Sequence, residues 1–288
     1  MERIVYLNGA LVPRGQAVIS PFDLGFLYGY GLFETMRAYS GHIFRLGIHM
    51  ERLRRSAALI GFPLNVFDLG KACYDTLKAN NLADARIRLT VSIGEGEATP
   101  NPPKHPKPTV LVIAASYTPP SAETYQKGYK AVVSLIHQNS QSPLSHLKTV
   151  NYLNQLLARR EAKEKGADEA ILLNERGFLC EGSTNNIFLV SKGNLTTPDE
   201  ESGCLPGITR QTVIELASEL GIRVTEREVR LEELLNADEA FLTSSLIELM
   251  PLTEVNSEPI GKSKRGKVTE RLMSAYKEAE ARETKQGA

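Results

Sequence analysis

The chain has little cysteine, no excess of either charge and no long apolar run, and each absence excludes a class of protein. Its three cysteines, Cys73, Cys180 and Cys204, are odd in number and widely spaced. That pattern provides neither a disulfide framework nor the spacing of zinc ligands. We therefore predict a protein of a reducing compartment with no metal site.

The balance of charge excludes a general attraction to polyanions. Lys plus Arg and Asp plus Glu both number 34, which leaves a formal net charge of zero. A chain without a global positive field is not expected to bind nucleic acid or a membrane surface.

The apolar residues are distributed along the chain rather than collected in one segment. They make up 42% of the 288 residues, an ordinary share for a globular protein, and no run is long enough to span a bilayer. The first nine residues are too few and too polar for a secretory signal peptide. We therefore predict a cytoplasmic protein without a membrane segment.

Length and proline content predict two domains. A chain of 288 residues is long for a single core, and the stretch Thr118-Pro119-Pro120-Ser121 has the composition of a linker. We place an N-terminal domain at residues 1–117, an interdomain linker at 118–128 and a C-terminal domain at 129–288.

Periodicity predicts the elements that carry the candidate site residues. Residues 44–60 repeat apolar side chains at helical spacing, and a further helix is expected over residues 150–165. Residues 85–93 alternate between apolar and polar side chains, which predicts a half-buried strand with Arg86 and Arg88 on one face.

These two arginines need anionic partners. Arg86 and Arg88 lie two residues apart, so their side chains leave the predicted strand on the same side. Cations on a half-buried strand are stable only beside negative charge. Either a substrate carboxylate or an internal acid such as Glu34 meets that need, and the sequence leaves both open.

A turn before a predicted helix has the features of a phosphate site. Pro206 and Gly207 enforce the turn, and from Ile208 apolar residues recur at helical spacing until Gly221. The first N–H groups of a helix lack partners and lie at the positive end of its dipole. A turn without a bulky side chain lets a phosphate approach them. The alternative interpretation is a plain helix cap.

Three further side chains have chemistry that would complete such a site. Lys148 lies where a loop is expected to enter a helix, and a lysine in a closed site can attack an aldehyde. Glu181 lies in a Gly/Ser-rich turn, where a carboxylate can keep a pyridine nitrogen protonated. Arg52 lies beside the apolar stripe of its helix, and its planar fork suits phosphate. The alternatives are a solvated lysine, ordinary turn chemistry and a surface arginine.

Hydroxyl groups at the end of another predicted strand add donors. Thr243, Ser244 and Ser245 lie where hydroxyl and N–H groups can bind the same phosphate. Serine and threonine at a strand end are otherwise ordinary turn formers.

The order of these residues along the chain resembles the class IV aminotransferase family, the fold-type IV pyridoxal-phosphate proteins. The resemblance implies an α/β (α+β) fold with a small N-terminal α/β domain, a larger C-terminal pseudo-barrel domain and a cleft between them. Several spaced motifs in the family's order carry it, and they occupy residues 20–25, 28–37, 49–53, 148–152, 181–188, 205–210 and 237–241.

The resemblance also implies a role toward pyridoxal 5′-phosphate for each candidate residue. Lys148 would form the internal Schiff base and shuttle the proton, Glu181 would bind the pyridine nitrogen, and Tyr152 would bind the ring hydroxyl. The residues implied for the phosphate are Arg52, Gly207, Ile208, Thr209, Ser244 and Ser245.

Substrate binding is implied for Tyr28, Phe33, Arg86 and Arg88. The expected substrates are an amino acid and a 2-oxo acid. Because the family is at least dimeric, the resemblance implies a homodimer or higher homo-oligomer, with Tyr28 and the loop after residue 93 near the partner's site.

The resemblance leaves the reaction within the family open. Branched-chain aminotransferases carry Tyr-x-Arg-Pro where this chain has Arg86-Ile87-Arg88-Leu89, and residues 94–108 hold no clear equivalent of the Arg-x-His motif of D-amino-acid aminotransferases. The first expectation is an aminotransferase for a branched-chain-like or D-amino acid. The alternative is a 4-amino-4-deoxychorismate lyase that makes 4-aminobenzoate and pyruvate, and a remote alternative is a non-catalytic pyridoxal-phosphate carrier.

Overall fold

The chain divides into two compact units. The computed structural model describes residues 2–62, 64 and 68–286, so Met1 and residues 287–288 of the predicted domains lie outside the described residues. The predicted linker at 118–128 contains a short helix, Ala122–Lys127. The first unit comprises Met1–Thr118, Leu147–Asn151 and Glu283–Ala288, and the second comprises Pro119–His146 and Tyr152–Arg282.

The first unit is built on an antiparallel sheet. Within the described residues its strand order is β2-β1-β6-β5-β3-β4, and each neighbouring pair is antiparallel. The strands are β1 (Ile4–Leu7), β2 (Ala10–Pro13), β3 (Gly31–Tyr39), β4 (His42–Ile43), β5 (Ala85–Ser92) and β6 (Thr109–Ser116).

Burial on β5 follows the alternation of the sequence. Ile87 and Leu89 are fully buried, whereas Arg86 is exposed and Arg88 is half-buried. Successive side chains of a strand point to opposite faces, so one face of this sheet supplies the core. The predicted strand over 85–93 is therefore confirmed, as β5.

The helices that lie wholly in the first unit, among the residues described, are α1 (Leu24–Tyr28), α2 (Leu46–Leu59) and α3 (Leu69–Ala79). The predicted helix over 44–60 is thus confirmed as α2. Its inward side chains, such as Leu53, share one apolar cluster with residues of α3 and of the central strands. This packing fixes the position of the polar residues that α2 carries on the same side.

The region around Lys148 differs from the prediction. The helix expected over 150–165 begins only at Leu153, because residues 148–150 bond to β3 instead, through an isolated bridge between Thr149 and Leu32. The Phe33 N–H donates to the Lys148 carbonyl at 2.9 Å, and the Val150 N–H donates to the Gly31 carbonyl at 3.0 Å. These bonds satisfy backbone groups that a helix would otherwise use.

The second unit is built on a mixed sheet. Its path in the described part of the chain is β12-β11-β10-β13-β14-β7-β8-β9, with β15 paired to β14. The strands are β7 (Tyr129–Val133), β8 (Glu169–Leu173), β9 (Leu179–Gly182), β10 (Asn186–Ser191), β11 (Asn194–Thr197), β12 (Val224–Glu226), β13 (Glu239–Ser244), β14 (Glu248–Val255) and β15 (Glu258–Pro259).

Helices cover parts of this second sheet, and α6 packs against β13. The predicted fold class, α/β (α+β), is confirmed. Among the described residues no helix is long and apolar enough to cross a membrane. The helices are α4 (Ala122–Lys127), α5 (Leu153–Glu164), α6 (Ile208–Glu219), α7 (Leu231–Leu235) and α8 (Lys267–Gln286).

Candidate active site

Lys148 of the first unit is held by its backbone and directed by an aromatic ring. The hydrogen bonds to β3 fix its Cα, and its side chain is half-buried. Its Nζ lies 4.6 Å from the centroid of the Phe33 ring. The Arg88 guanidinium lies 3.9 Å from the centroid of the same ring. The buried Phe33 ring therefore contacts two cations, Arg88 from β5 and Lys148 from the segment that bonds to β3.

A buried ion pair connects β3 to α2. The Glu34 carboxylate accepts hydrogen bonds from Arg52 Nε at 2.8 Å and from Arg52 Nη2 at 2.6 Å. His49 Nδ1 lies 2.8 Å from Glu34 Oε2, the same oxygen that accepts from Arg52 Nη2. All three side chains are almost fully buried, so the sequence reading of Arg52 as an inward-pointing arginine is consistent with its position.

The cluster consists of an anionic Glu34, a cationic Arg52 and a neutral His49. Burial raises the pKa of Glu34, but the Arg52 charge and the hydrogen bonds from His49 and Arg52 outweigh it and lower the pKa to about 2. Burial lowers the pKa of His49 below 6.5, and the charges of Arg52 and Lys148 act in the same direction. Neutral His49 therefore donates its Nδ1–H to Glu34.

The position of Glu34 rules it out as the partner of the two strand arginines. Glu34 lies opposite Leu89 in the β3–β5 register, on the core face, whereas Arg88 lies opposite Thr35 on the other face. Arg86 lies opposite Arg37. The register therefore removes Glu34 from the internal acids that the sequence offered as partners. Tyr28, the last residue of α1, is exposed.

In the second unit, Glu181 lies inside β9 rather than in the turn that the sequence indicated. Its side chain is about nine-tenths buried. Its Oε2 accepts a hydrogen bond from the Leu205 N–H at 3.0 Å and lies 3.4 Å from Asn186 Nδ2. Asn186 Nδ2 also donates to the Leu205 carbonyl at 2.8 Å. Glu181 is thereby tied directly to the chain that enters α6.

Gly207 is required by the close approach of Asn186. An added Cβ at this position would lie 1.8 Å from Asn186 Oδ1, far inside contact distance. Gly207 is the residue before α6, and the Gln211 N–H is the first to bond back to its carbonyl. The N–H groups of Ile208 and Thr209 thus begin the helix without intrahelical acceptors.

The hydroxyl residues lie beside this helix start. Asn186 and Thr243 are direct partners in the β10–β13 register, so their side chains share one face of the sheet. The Thr243 hydroxyl is buried, and no partner for it is present among the described residues. Ser244 ends β13, and Ser245 follows in the turn to β14. Both are half-buried.

Tyr152 precedes α5 and is half-buried. Its hydroxyl donates to the Ser183 carbonyl at 3.1 Å, which places it beside the turn that follows Glu181. Tyr152, Glu181, Gly207 and residues 243–245 all belong to the second unit.

Sequence reasoning did not single out Asn186, Glu34 or His49 as site residues. A usable signal existed for His49, because it lies three residues before Arg52 and shares its helix face. Asn186 gave no such signal, since an asparagine after Gly-Ser-Thr-Asn looks like part of a turn. No cluster of metal ligands occurs in the described portion of the chain.

The mixed α/β fold, the anchored lysine and the helix start beside a buried carboxylate are features of a group-transfer enzyme that binds a phosphorylated ligand. Comparison with known proteins identifies the family. The family model for class IV amino-transferases matches residues 31–255. The chain belongs to this family of fold-type IV aminotransferases.

Individual relatives match almost the whole chain. A Methanocaldococcus jannaschii protein, provisionally named a branched-chain-amino-acid aminotransferase, is 40% identical over 277 residues and covers 95% of both chains. The aminodeoxychorismate lyase of Bacillus subtilis is 35% identical over 278 residues, covering 95% of this chain and 94% of its own. The crystal structure of the Escherichia coli branched-chain amino acid aminotransferase matches with a TM-score of 0.92 at 33% identity, over 96% of this chain and 94% of that chain.

The buried Glu34–His49 pair predicts a loss of stability in acid. Below pH 6.5 the unfolded His49 takes up a proton that the native residue resists, so the free energy of unfolding falls as the pH decreases. Below pH 4.5 the unfolded Glu34 is protonated first, which removes on the order of 3 kcal/mol as the pH approaches 2. Urea unfolding at pH 7, 6 and 5 measures the first part.

The matched variants are His49→Gln and His137→Gln, the second at an exposed position. The His49 substitution should reduce the fall in the free energy of unfolding between pH 7 and pH 5. The His137 substitution should leave that fall unchanged. Equal declines in both variants would contradict the assignment to His49.

Proposed function

We propose that this aminotransferase uses pyridoxal 5′-phosphate held on Lys148 and moves an amino group between a branched-chain amino acid and a 2-oxo acid. When bound, the cofactor supplies an aldehyde that reacts with amines and a ring that accepts electrons from the substrate Cα. Membership of the class IV family and the similarity to branched-chain aminotransferases support this function.

The observation that carries the proposal is the connection of Glu181 to the start of α6. A carboxylate suits a protonated ring nitrogen, and a helix N-terminus suits a phosphate. The Leu205 N–H, 3.0 Å from Glu181 Oε2, and the Asn186 side chain link the two. The second unit thus offers groups of the right charge for two parts of one cofactor.

The residues around α6 fit a phosphate. The buried Thr243 hydroxyl lacks a partner among the described residues and shares a sheet face with Asn186. Gly207 leaves space where a side chain would collide with Asn186. We assign phosphate binding to Gly207, to the N–H groups of Ile208 and Thr209, and to Arg52, Ser244 and Ser245.

The remaining roles follow from the chemistry of each side chain. Lys148 Nζ is the base that removes the proton from the substrate Cα. It then gives a proton to the cofactor carbon that takes up the amino group. Tyr152 donates a hydrogen bond to the ring hydroxyl. Arg88, which lies over the Phe33 ring, attracts the substrate carboxylate. Tyr28 and Arg86 lie at the margin of the substrate region.

Borohydride reduction tests the assignment of Lys148. Peptide mapping of the reduced holoenzyme should find a pyridoxyl group on Lys148. The Lys148→Ala variant should lose the label and lower the rate of amine transfer by roughly 10²–10⁴-fold or more, because the base is absent. The exposed Lys163→Ala variant should keep both. A pyridoxyl group on another side chain would overturn the proposal.

Product analysis separates the reaction types. L-Leucine with 2-oxoglutarate should convert the cofactor to its aminated form and yield glutamate, whereas preference for D-alanine would reassign the donor class. The 35% identical lyase relative supports one further candidate, a 4-amino-4-deoxychorismate lyase. Formation of 4-aminobenzoate without an amino acceptor would establish that activity, and a yellow protein without any turnover would indicate a carrier.

Gly207→Ala tests the phosphate site. The new methyl group must displace Asn186, so the affinity for pyridoxal phosphate should fall by at least about ten-fold, the cost of about one lost hydrogen bond to a charged group. Gly47→Ala is the control, since a Cβ there meets nothing within 4 Å. Spectroscopic titration of the apoprotein measures both. Equal affinities in the two variants would contradict the assignment.

We further propose that two copies of the chain form a homodimer. The segment 18–28 exposes Val18, Phe22, Phe26 and Tyr28, an apolar surface that a monomer would leave in water. The three cysteines are buried free thiols, which supports the cytoplasmic location expected from the sequence.

Light scattering tests the dimer. The wild-type protein should have twice the mass of one chain, and Phe26→Glu should shift it toward the monomer because a charge in an apolar interface is unfavourable. Leu59→Glu, on an equally exposed leucine of α2, should leave the mass unchanged. A monomeric wild-type protein at micromolar concentration would rule the dimer out.

A further inference from the structure

A fully buried carboxylate lies behind the turn that follows Glu181. Glu169, the first residue of β8, has no exposed surface. Its carboxylate accepts hydrogen bonds from the Ala170 N–H at 2.8 Å, the Ser183 N–H at 3.1 Å and the Thr184 hydroxyl at 3.2 Å. The Ser183 hydroxyl and the Asn185 amide also donate to it.

A buried carboxylate is retained only where donors replace its water. Each of its oxygens here receives at least two hydrogen bonds, and the bonds are charge-assisted, the strongest kind that neutral donors make. The Arg159 guanidinium, on a half-exposed side chain, lies 3.7 Å from Glu169 Oε2. The negative charge is therefore stabilised chiefly by the residue 183–185 turn, and that turn is in return fixed by the charge.

Local packing is adapted to the same contact. A Cβ on Gly182 would lie 3.2 Å from Glu169 Cγ, so the absence of a side chain there admits the carboxylate. The Gly182 N–H closes the turn onto the Asn185 carbonyl at 2.6 Å. Glu169 therefore holds the Ser183–Asn185 turn, which joins the strand that carries Glu181 to the strand that begins at Asn186.

The turn also leads to Tyr152. Ser183 donates its N–H and its hydroxyl to Glu169. Its carbonyl accepts a hydrogen bond from the Tyr152 hydroxyl at 3.1 Å. One residue therefore connects a buried negative charge with the side chain assigned to the ring hydroxyl. Movement of Ser183 would move the acceptor that orients Tyr152.

We infer that Glu169 is a positioning residue for the cofactor: it sets the Ser183–Asn185 turn, and through that turn the orientation of Tyr152 and the ends of β9 and β10 that carry Glu181 and Asn186. This inference rests on the proposed function, because it concerns the same cofactor. It assigns to Glu169 no contact with substrate or cofactor.

Glu169→Gln tests the inference while keeping the shape of the side chain. The neutral amide turns an N–H toward donors that need an acceptor, so the turn should loosen. We expect the dissociation constant for pyridoxal phosphate to rise at least ten-fold and amide hydrogen exchange at residues 182–186 to accelerate in both apoprotein and holoenzyme. Glu169→Asp, which keeps the charge, should recover part of the affinity.

Glu161→Gln is the matched control. Glu161 also accepts a serine hydroxyl and a backbone N–H, from Ser134 at 2.7 Å and Leu135 at 3.2 Å, but at a different loop of the same unit. Its loss should lower the melting temperature without changing the affinity for the cofactor. A merely structural Glu169 would behave in the same way.

A coupling experiment identifies the route. If Glu169 acts through Ser183 and Tyr152, the loss of affinity in Glu169→Gln should be smaller in a Tyr152→Phe background than in the wild type. Should Glu169→Gln fail to fold, Ser183→Ala removes one donor and should show the same pattern at lower amplitude.

The outcomes separate this inference from the proposed function. Wild-type protein that takes up pyridoxal phosphate on Lys148, with unchanged affinity and unchanged exchange at residues 182–186 in the Glu169→Gln and Ser183→Ala variants, would overturn only the role of Glu169. Wild-type protein that takes up no pyridoxal phosphate would overturn both.

Discussion

Two hydrogen bonds to one carboxylate oxygen organise the candidate site of the second unit. Glu181 Oε2 receives the Leu205 N–H and lies within reach of the Asn186 amide, which also holds the Leu205 carbonyl. The β9–β10 stretch with Glu181 and Asn186 thereby meets the entry to α6, which lies 19 to 24 residues further along the chain. Removing the carboxylate would leave the half-buried Leu205 N–H without this acceptor, so the position of the helix start depends on it.

The first unit uses a buried charge in a comparable way. Glu34 fixes Arg52 and His49 to β3, while the other face of the same strand presents Phe33 to Lys148 and Arg88. Side chains of a strand alternate between its two faces, so one strand can anchor a helix on one side and contact Lys148 on the other. A buried ion pair of this kind is costly unless each partner is fully bonded, and here Arg52 meets Glu34 through two parallel bonds.

The sequence predicted the elements that depend on local periodicity, and it failed where long-range pairing decides. Alternation in β5 and the apolar stripe of α2 were visible in the residues, and both elements formed as expected. Lys148 was expected at a helix entry, but residues 148–150 form hydrogen bonds to β3 instead, and no local signal reports a partner more than a hundred residues away. Glu34 as partner of the strand arginines failed for a simpler reason, since register places them on opposite faces. Glu169 was invisible for the same reason as Lys148: its partners are Ser183 to Asn185.

The arrangement of cations on the first sheet bears on what the enzyme selects. Arg37 and Arg86 lie opposite each other, an unfavourable pairing of like charges, but Arg37 is buried with its guanidinium 4.3 Å from the Tyr39 ring centroid and 5.2 Å from that of Tyr117. Those rings stabilise the Arg37 cation, and the Arg86 side chain is exposed. Arg88 and Lys148 both contact the Phe33 ring on this face. Under the proposed roles Lys148 holds the cofactor and Arg88 attracts the substrate carboxylate. Every amino acid and 2-oxo acid carries that carboxylate, so on this proposal discrimination among substrate side chains comes from groups that meet the substrate's other end.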